Sequence, residues 1–160
     1  MTTINSREVL INKIADAMNC YSNEQDMVWC IDLTAQEVTF TCDPSIVGKD
    51  CMPEVGHLMI DIDRVPSRES FLIMENFTSE CTSTNEQRLL NFALRQRHPF
   101  SAFKDAVWEL GIQENWFRYE YSTLRKKAEE WMTDNNVDFI DGKIVCQSDR
   151  IYAYQNEEEE

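Results

Sequence analysis

Residues 113–146 read QENWFRYEYSTLRKKAEEWMTDNNVDFIDGKIVC, and this segment gives the clearest indication of the fold class. Five of its apolar residues recur at intervals of four and three, which predicts a helix with one face toward a core. They are Phe117, Tyr121, Leu124, Ala128 and Trp131. Asp141-Gly142 then separates two runs of strand-forming residues, 137–140 and 143–146, a pattern typical of a β-hairpin. A long helix followed by an antiparallel hairpin predicts an α+β protein.

Upstream of this stretch the sequence predicts three more helices. Ser67 is placed to cap the first of them, and Thr84-Asn85-Glu86-Gln87 forms a capping box for the second. In that box the Thr84 hydroxyl and the Gln87 side chain each satisfy a free amide. Pro99 suits the first turn of the third helix, and Gly111 suits the left-handed position that ends it.

The N-terminal part of the chain combines one helix with a hairpin. Asn5 or Ser6 is placed to cap a helix that we expect to end near Cys20. Residues 27–32 and 37–42 are rich in strand formers, and the short segment between them predicts a β-hairpin.

Two further strands are predicted at residues 58–62 and 151–154, whereas residues 43–56 read as a loop. The prediction is therefore an α+β fold of about five helices packed with a small, mostly antiparallel sheet of hairpins, drawing strands from both ends of the chain. A chain of 160 residues favours one domain, here predicted over residues 1–156, with residues 157–160 as an acidic disordered tail.

The charge is strongly negative but unevenly distributed. The chain carries 15 Lys and Arg against 29 Asp and Glu, a formal charge of -14, which disfavours a general nucleic-acid binder. Residues 88–127, however, hold eight of the basic residues and four of the acidic ones. A modestly basic helical segment thus lies between two acidic ones.

The six cysteines show no metal-binding or redox spacing, so we expect reduced thiols that behave as small buried hydrophobes. They are Cys20, Cys30, Cys42, Cys51, Cys81 and Cys146. No apolar run reaches the ~20 residues that span a bilayer, and the N-terminus does not resemble a signal peptide. These features predict a cytoplasmic protein without a membrane partner, and no cofactor is predicted.

Several blocks of the sequence carry a resemblance to known proteins. Residues 63–67 (DRVPS) and 74–77 (MENF) are similar to a P-S helix entry and an IMEDF-type segment, and three further blocks follow. Residues 100–112 read FSAFKDAVWELGI, residues 116–119 read WFRY and residues 128–131 read AEEW. This series is similar to the F-x-x-F-K-D, L-G-I, W-Y-x-F/Y and A-x-x-W series of a bacterial protein family of uncharacterised function. The resemblance covers roughly residues 60–132. It implies a bacterial, cytoplasmic origin and no established catalytic residues.

A basic and aromatic set within residues 88–127 is the first candidate site for a ligand or partner. Lys104 and Trp108 lie four apart on a helix, on the side away from its apolar face. Three other members of the set lie just before Pro99, where a helix N-terminus offers free amides to an anion. The remaining member lies farther along the chain. In the alternative interpretation the basic residues pair with the abundant acids, and Trp108 packs under the sheet. The full set is Arg95, Arg97, His98, Lys104, Trp108 and Arg118.

A second candidate is a site for Mg²⁺ or Mn²⁺ formed by His57, Asp61 and Asp63. In a strand over residues 58–62, Asp61 and Asp63 would project to one face. The sequence fixes no third acid nearby, so the pattern is weakly specific.

No signature of nucleophilic catalysis or of a phosphate-binding loop occurs, so no catalytic residue is assigned and the sequence does not favour an enzyme. The leading hypothesis is a non-enzymatic, acidic protein-interaction or regulatory module that binds another protein through charge complementarity. One alternative is a binder of nucleic acid or a phosphorylated ligand through residues 88–127, and another is a divalent-metal-dependent hydrolase.

Overall fold

The computed structural model describes residues 3–19, 27–42 and 52–155. The chain divides into two compact units, which we call the sheet unit (residues 1–64 and 124–160) and the helical unit (residues 65–123). The single domain expected over residues 1–156 stays a prediction. The acidic tail at 157–160 lies outside the described residues.

The described residues form five helices and six strands, which confirms the predicted α+β class. The helices are α1 (Arg7–Met18), α2 (Ser67–Cys81), α3 (Thr84–Leu94), α4 (Pro99–Leu110) and α5 (Gln113–Asp134). The strands are β1 (Val28–Asp32), β2 (Glu37–Thr41), β3 (Leu58–Asp61), β4 (Val137–Ile140), β5 (Lys143–Cys146) and β6 (Tyr152–Ala153). Within the described ranges, no helix has the length and apolarity needed to span a bilayer.

A four-stranded antiparallel sheet in the order β2-β1-β3-β6 forms the centre of the sheet unit. The predicted hairpin of β1 and β2 is confirmed, with Trp29 opposite Phe40 and their ring centroids 5.5 Å apart. The expectation that strands from both ends of the chain share a sheet is also confirmed, because β6 pairs with β3.

Helix α1 supplies much of the apolar core of the sheet unit. The Ser6 hydroxyl accepts a hydrogen bond from the Val9 amide, so Ser6 is the N-cap. Leu10, Ile11 and Ile14 are fully buried, as is Ile31 of β1, the strand that α1 contacts. The helix ends at Met18, and the region of its predicted end, Cys20, lies outside the described residues.

The second hairpin, of β4 and β5, turns at Asp141-Gly142 as predicted. Both turn residues have positive φ, 53° and 76°, which matches the right-handed twist of the two strands. The Gln36 side-chain amide joins this hairpin to the β1–β2 turn, because it accepts a hydrogen bond from the Ile144 amide at 2.6 Å and donates one to the Ile144 carbonyl at 3.0 Å. The sheet unit thus ties its two hairpins together through a side chain.

The helical unit packs around a cluster of aromatic and aliphatic side chains. Phe77 of α2, Phe103 of α4 and Trp116 of α5 are buried and meet edge to face, with centroid distances from 4.9 to 6.3 Å. Such pairs add favourable ring contacts to the burial of apolar surface. The remaining buried members of the cluster are Ile73, Met74, Leu90, Leu94 and Val107.

Two helix caps differ from the predictions. The capping box of α3 is formed by Ser83 and Glu86, one residue before the predicted Thr84 and Gln87. The charged Glu86 carboxylate lies in the first turn, where the helix dipole favours an anion. Helix α2 begins at Ser67 with Pro66 as the N-cap, so Ser67 does not cap it. The predicted Pro99 start and left-handed Gly111 end of α4 are confirmed.

The predicted core face of α5 is wrong in its first half. Phe117 and Tyr121 are exposed, whereas Trp116 is buried. The face that is turned inward carries Trp116, Glu120 and Leu124, which are four positions apart. Glu120 is half-buried. Burial raises the pKa of the Glu120 carboxyl, and the positive charge of Lys104 opposes this shift. The second half of the predicted face is confirmed, because Leu124, Ala128 and Trp131 are buried.

Candidate functional site

The residues predicted to bind an anion lie at the junction of α3 and α4 and are exposed. Arg95 is the C-cap of α3, where its amide donates to the Phe92 carbonyl. His98 is the N-cap of α4 but makes no side-chain hydrogen bond to the first turn, and Arg97 precedes it. The junction therefore places three exposed basic or titratable side chains beside a helix start that lacks a side-chain cap.

Lys104 and Trp108 lie on the outer face of α4, as predicted, opposite the buried Phe103 and Val107. Trp108 is 61% exposed, which contradicts the alternative interpretation in which it packs under the sheet. That interpretation is partly supported for Lys104, because the charge of Lys104 acts on the pKa of Glu120. Arg118 on α5 is exposed.

A set of exposed apolar side chains on the helical unit was not predicted from the sequence. Phe92 of α3 is 67% exposed, and Leu89, one turn before it, is about half exposed. The signal was present in the sequence, because Leu89, Leu90, Phe92, Ala93 and Leu94 form an apolar arc too wide for one buried stripe. Together with Phe92, the exposed Trp108, Phe117 and Tyr121 bring the large aromatic side chains of this unit that face solvent to four.

Arg88 and Arg95 flank these side chains on α3. They stand four residues before and three residues after Phe92, so helical geometry places all three on one face with Leu89. We call Arg88, Leu89, Phe92 and Arg95 the α3 stripe. Both arginines are exposed, and the described residues give neither of them an ion-pair partner. Phe92 is thus an exposed aromatic ring with an arginine one turn before it and another one turn after it.

His57 pairs with carboxylates other than those predicted. Its Nδ1 lies 2.7 Å from Oδ2 of Asp32, and its Nε2 lies 3.4 Å from Oε2 of Glu54. Asp32 is almost fully buried, and its other oxygen accepts a hydrogen bond from the Ala35 amide at 2.8 Å. The hydrogen bond to Asp32 raises the pKa of the His57 imidazole above its usual value.

Asp61 and Asp63, the other predicted metal ligands, also have separate partners. Asp61 accepts a hydrogen bond from the Tyr152 hydroxyl at 2.6 Å. Asp63 lies beyond the end of β3 and binds the Arg150 guanidinium with both oxygens, at 2.8 and 2.9 Å. The Trp131 indole donates to the same carboxylate at 2.9 Å. These bonds, with Arg150 first, lower the pKa of the Asp63 carboxyl.

The structure therefore does not bring His57, Asp61 and Asp63 together around one point. Across residues 3–19, 27–42 and 52–155, no group of three or more His, Cys, Asp or Glu side chains is arranged to hold a metal ion. The arrangement instead ties the C-terminal segment to β3 and α5, since Arg150 also donates to the Asn135 side chain at 2.9 Å.

The described cysteines only partly match the prediction of buried thiols. Cys30 is buried, and burial, reinforced by the charges of Asp61 and Asp32, raises the pKa of its thiol to about 12. Cys42 and Cys146 are half-buried, whereas Cys81, at the end of α2, is exposed. All four are free thiols. Cys20 and Cys51 lie outside the described residues.

Comparison with known proteins places the chain in a family. A profile of the uncharacterised protein family UPF0158 matches residues 50–152. The chain belongs to UPF0158. This confirms the resemblance to a bacterial family of uncharacterised function and extends it beyond residues 60–132 in both directions. The residues that match UPF0158 include the entire helical unit.

A UPF0158 protein of Pseudomonas aeruginosa is 32% identical over 77 residues. The match spans 48% of this chain and 50% of the relative, so the chain covers about half the length of that protein. No solved structure matches the chain. Because UPF0158 is a family of uncharacterised function, membership assigns no activity to the chain.

Proposed function

We propose that this UPF0158 protein is a non-enzymatic protein-interaction module whose partner-binding surface lies on the helical unit. The observation that carries the proposal is the exposure of four aromatic side chains on one small unit that also exposes several arginines. They are Phe92, Trp108, Phe117 and Tyr121. Aromatic residues and arginine are the residue types enriched in protein interfaces and their energetic hot spots.

Charge supports a protein partner over nucleic acid. The helical unit holds six Lys and Arg against eight Asp and Glu, a balance of -2, whereas the sheet unit holds nine against 21, a balance of -12. The field of a chain at -14 repels a polyanion in proportion to its charge. A protein segment with a few carboxylates meets far less repulsion. We place this interaction in the cytoplasm, in keeping with the sequence-based expectation.

Affinity capture tests the proposal. The tagged full-length protein is exposed to a lysate of its own bacterium, with and without nuclease and at low and moderate salt. We expect one stoichiometric protein that survives nuclease treatment. Retention of nucleic acid that is released by salt, with no stoichiometric protein, would overturn the proposal.

The junction of α3 and α4 favours a second candidate, a binder of nucleic acid or a phosphorylated ligand. Arg95, Arg97 and His98 are exposed there, and the start of α4 has no side-chain cap. The triple substitution Arg95→Glu, Arg97→Glu and Lys104→Glu tests the second candidate. It should abolish salt-sensitive nucleic-acid retention if the second candidate is right, because phosphate contacts depend on these cations.

The hydrolase hypothesis has less support, because Asp61 and Asp63 each bind a different protein side chain. Its direct test is the melting temperature with and without Mn²⁺. A stabilisation by Mn²⁺ that disappears in Asp61→Asn would favour a metal site, whereas an unchanged melting temperature would argue against one.

A further inference from the structure

We propose that the α3 stripe binds an acidic, amphipathic helical segment of the protein partner. This inference rests on the proposed function and names both the part of the helical unit that makes the contact and the chemistry of the segment that it contacts. It starts from Phe92, the most exposed of the large apolar side chains in the described residues. An exposed ring with an exposed Leu89 one turn away forms a compact apolar contact point.

The arginines at the two ends of the stripe set the charge of the partner. Glu86 is the only acidic residue of α3, and its carboxylate accepts a hydrogen bond from the Ser83 amide in the capping box. The outer face of α3 therefore presents Arg88 and Arg95 with no counter-charge from its own helix. Arginine binds carboxylates with two parallel hydrogen bonds, which makes Asp and Glu the matching side chains.

The spacing of the stripe is compatible with a helical partner segment. Arg88 and Arg95 are seven residues apart, or about 10 Å along the helix axis. A second helix lying along α3 matches this distance when its own acidic residues are about two turns apart. An apolar residue between them, three or four positions from either acid, then lies over Phe92 and Leu89.

Other molecules that could bind the α3 stripe match its charge and its apolar side chains less well. A second copy of the chain would bring another charge of -14 to the surface, which opposes self-association. A nucleic-acid strand meets the same repulsion and offers no aliphatic side chain to Leu89. A short acidic segment with an apolar centre satisfies both arginines and both apolar side chains.

Site-specific cross-linking tests the inference. Phe92 is replaced by the photo-reactive p-benzoylphenylalanine in the full-length protein, and Ile140, an exposed apolar residue of the sheet unit, is replaced in a matched control. After irradiation in the lysate, the cross-linked peptides are sequenced by mass spectrometry. We expect a partner segment at position 92, absent from position 140, with two acidic residues about seven apart around apolar ones.

The identified segment is then synthesised, and its Kd is measured by fluorescence anisotropy. Phe92→Ala and the pair Arg88→Glu with Arg95→Glu should each weaken binding by about tenfold or more. The pair Arg88→Lys with Arg95→Lys should retain part of the affinity, and Lys143→Glu on the sheet unit should leave the Kd unchanged. All these side chains are exposed, and circular dichroism checks that each variant is folded.

The possible failures are distinguishable. If wild-type protein captures a partner but position 92 cross-links to nothing, to nucleic acid or to a segment without acidic residues, the inference is overturned and the proposed function stands. The same holds if the Arg88→Glu and Arg95→Glu pair binds the partner as tightly as wild type. If wild-type protein captures no partner at all, the proposed function fails and the inference fails with it.

Discussion

In the sheet unit His57, Asp63 and Tyr152 each bind another side chain of the same unit, whereas in the helical unit Arg88 and Arg95 face solvent beside Phe92. Both units expose apolar side chains, but those of the sheet unit are mostly aliphatic. Its one exposed aromatic among the described residues, Tyr152, donates a hydrogen bond from its hydroxyl to Asp61. These three polar groups of the sheet unit thus stabilise the unit itself, while the helical unit presents aromatic rings and arginines outward.

The largest expected effect is a difference in the free energy of unfolding between two variants of the helical unit, one that truncates a buried ring and one that truncates an exposed ring. Phe103→Ala should lower the free energy of unfolding by about 3–5 kcal/mol, because it leaves a cavity against Phe77 and Trp116. Phe92→Ala should change it by no more than about 0.5 kcal/mol. Urea unfolding followed by circular dichroism measures both. A loss of several kcal/mol in Phe92→Ala would mean that Phe92 supports the fold and is not a free contact point.

The second effect concerns the left-handed end of α4. Gly111 has φ of 69°, and a Cβ there would meet no neighbouring atom, so the cost of Gly111→Ala is backbone strain of about 1 kcal/mol. Gly111→Asn should cost less, since Asn tolerates this conformation better. Thermal unfolding compares the variants. Equal stability of Gly111→Ala and wild type would contradict the described cap.

The third effect tests the Asp63–Arg150 pair of the sheet unit. Asp63→Asn should cost about 1 kcal/mol or less at neutral pH, because both partners are partly exposed and screened by solvent. The folded-state pKa of Asp63 is lowered below its unfolded value of about 3.9. The contribution is therefore present above the unfolded pKa and is lost as the pH falls through the folded one. A difference between wild type and variant that persists in strong acid would show that the carboxylate charge is not involved.

His57 should show the opposite pH dependence. Its folded-state pKa is raised above the unfolded value of about 6.5, chiefly by the hydrogen bond to Asp32. The stability that protonated His57 contributes is therefore fully present below the unfolded pKa and is lost as the pH rises through the folded one. The stability difference between wild type and His57→Gln should shrink over that rise. Two series of unfolding measurements at different pH, one in acid for Asp63 and one near neutrality for His57, measure these trends. A stability difference between wild type and His57→Gln that stays constant with pH would contradict the pairing of His57 with Asp32.

Much of the fold was predictable because its signals are local. Ser6, Pro99, Gly111 and Asp141-Gly142 each fix a cap or turn through the chemistry of one or two residues. The capping box of α3 was displaced by one residue because Ser83-x-x-Glu86 and Thr84-x-x-Gln87 overlap, and local sequence favours both. In the folded chain the Ser83–Glu86 box forms, with an acidic side chain in the first turn, where the helix dipole favours an anion.

The side-chain partners were not predictable, because they depend on long-range pairing. His57 meets Asp32 across 25 residues, and Arg150 meets Asp63 across 87. The face of α5 was misassigned because its buried side includes Glu120, so that an apolar pattern favoured Phe117 and Tyr121 instead. The exposure of Phe92 was not predicted because the apolar residues of α3 cover an arc wider than its buried face, and the pattern alone does not show which of them face solvent.

The most direct test compares surface variants of the two units in full-length protein. One variant carries Phe92→Ala and Trp108→Ala on the helical unit, and the other carries Ile140→Ala and Val145→Ala on exposed positions of the second hairpin. The measurement is the amount of nuclease-resistant partner captured by each, relative to wild type. We expect the helical-unit variant to lose the partner and the hairpin variant to retain it. Loss in the hairpin variant with full retention in the helical-unit variant would contradict the proposed location of the partner-binding surface.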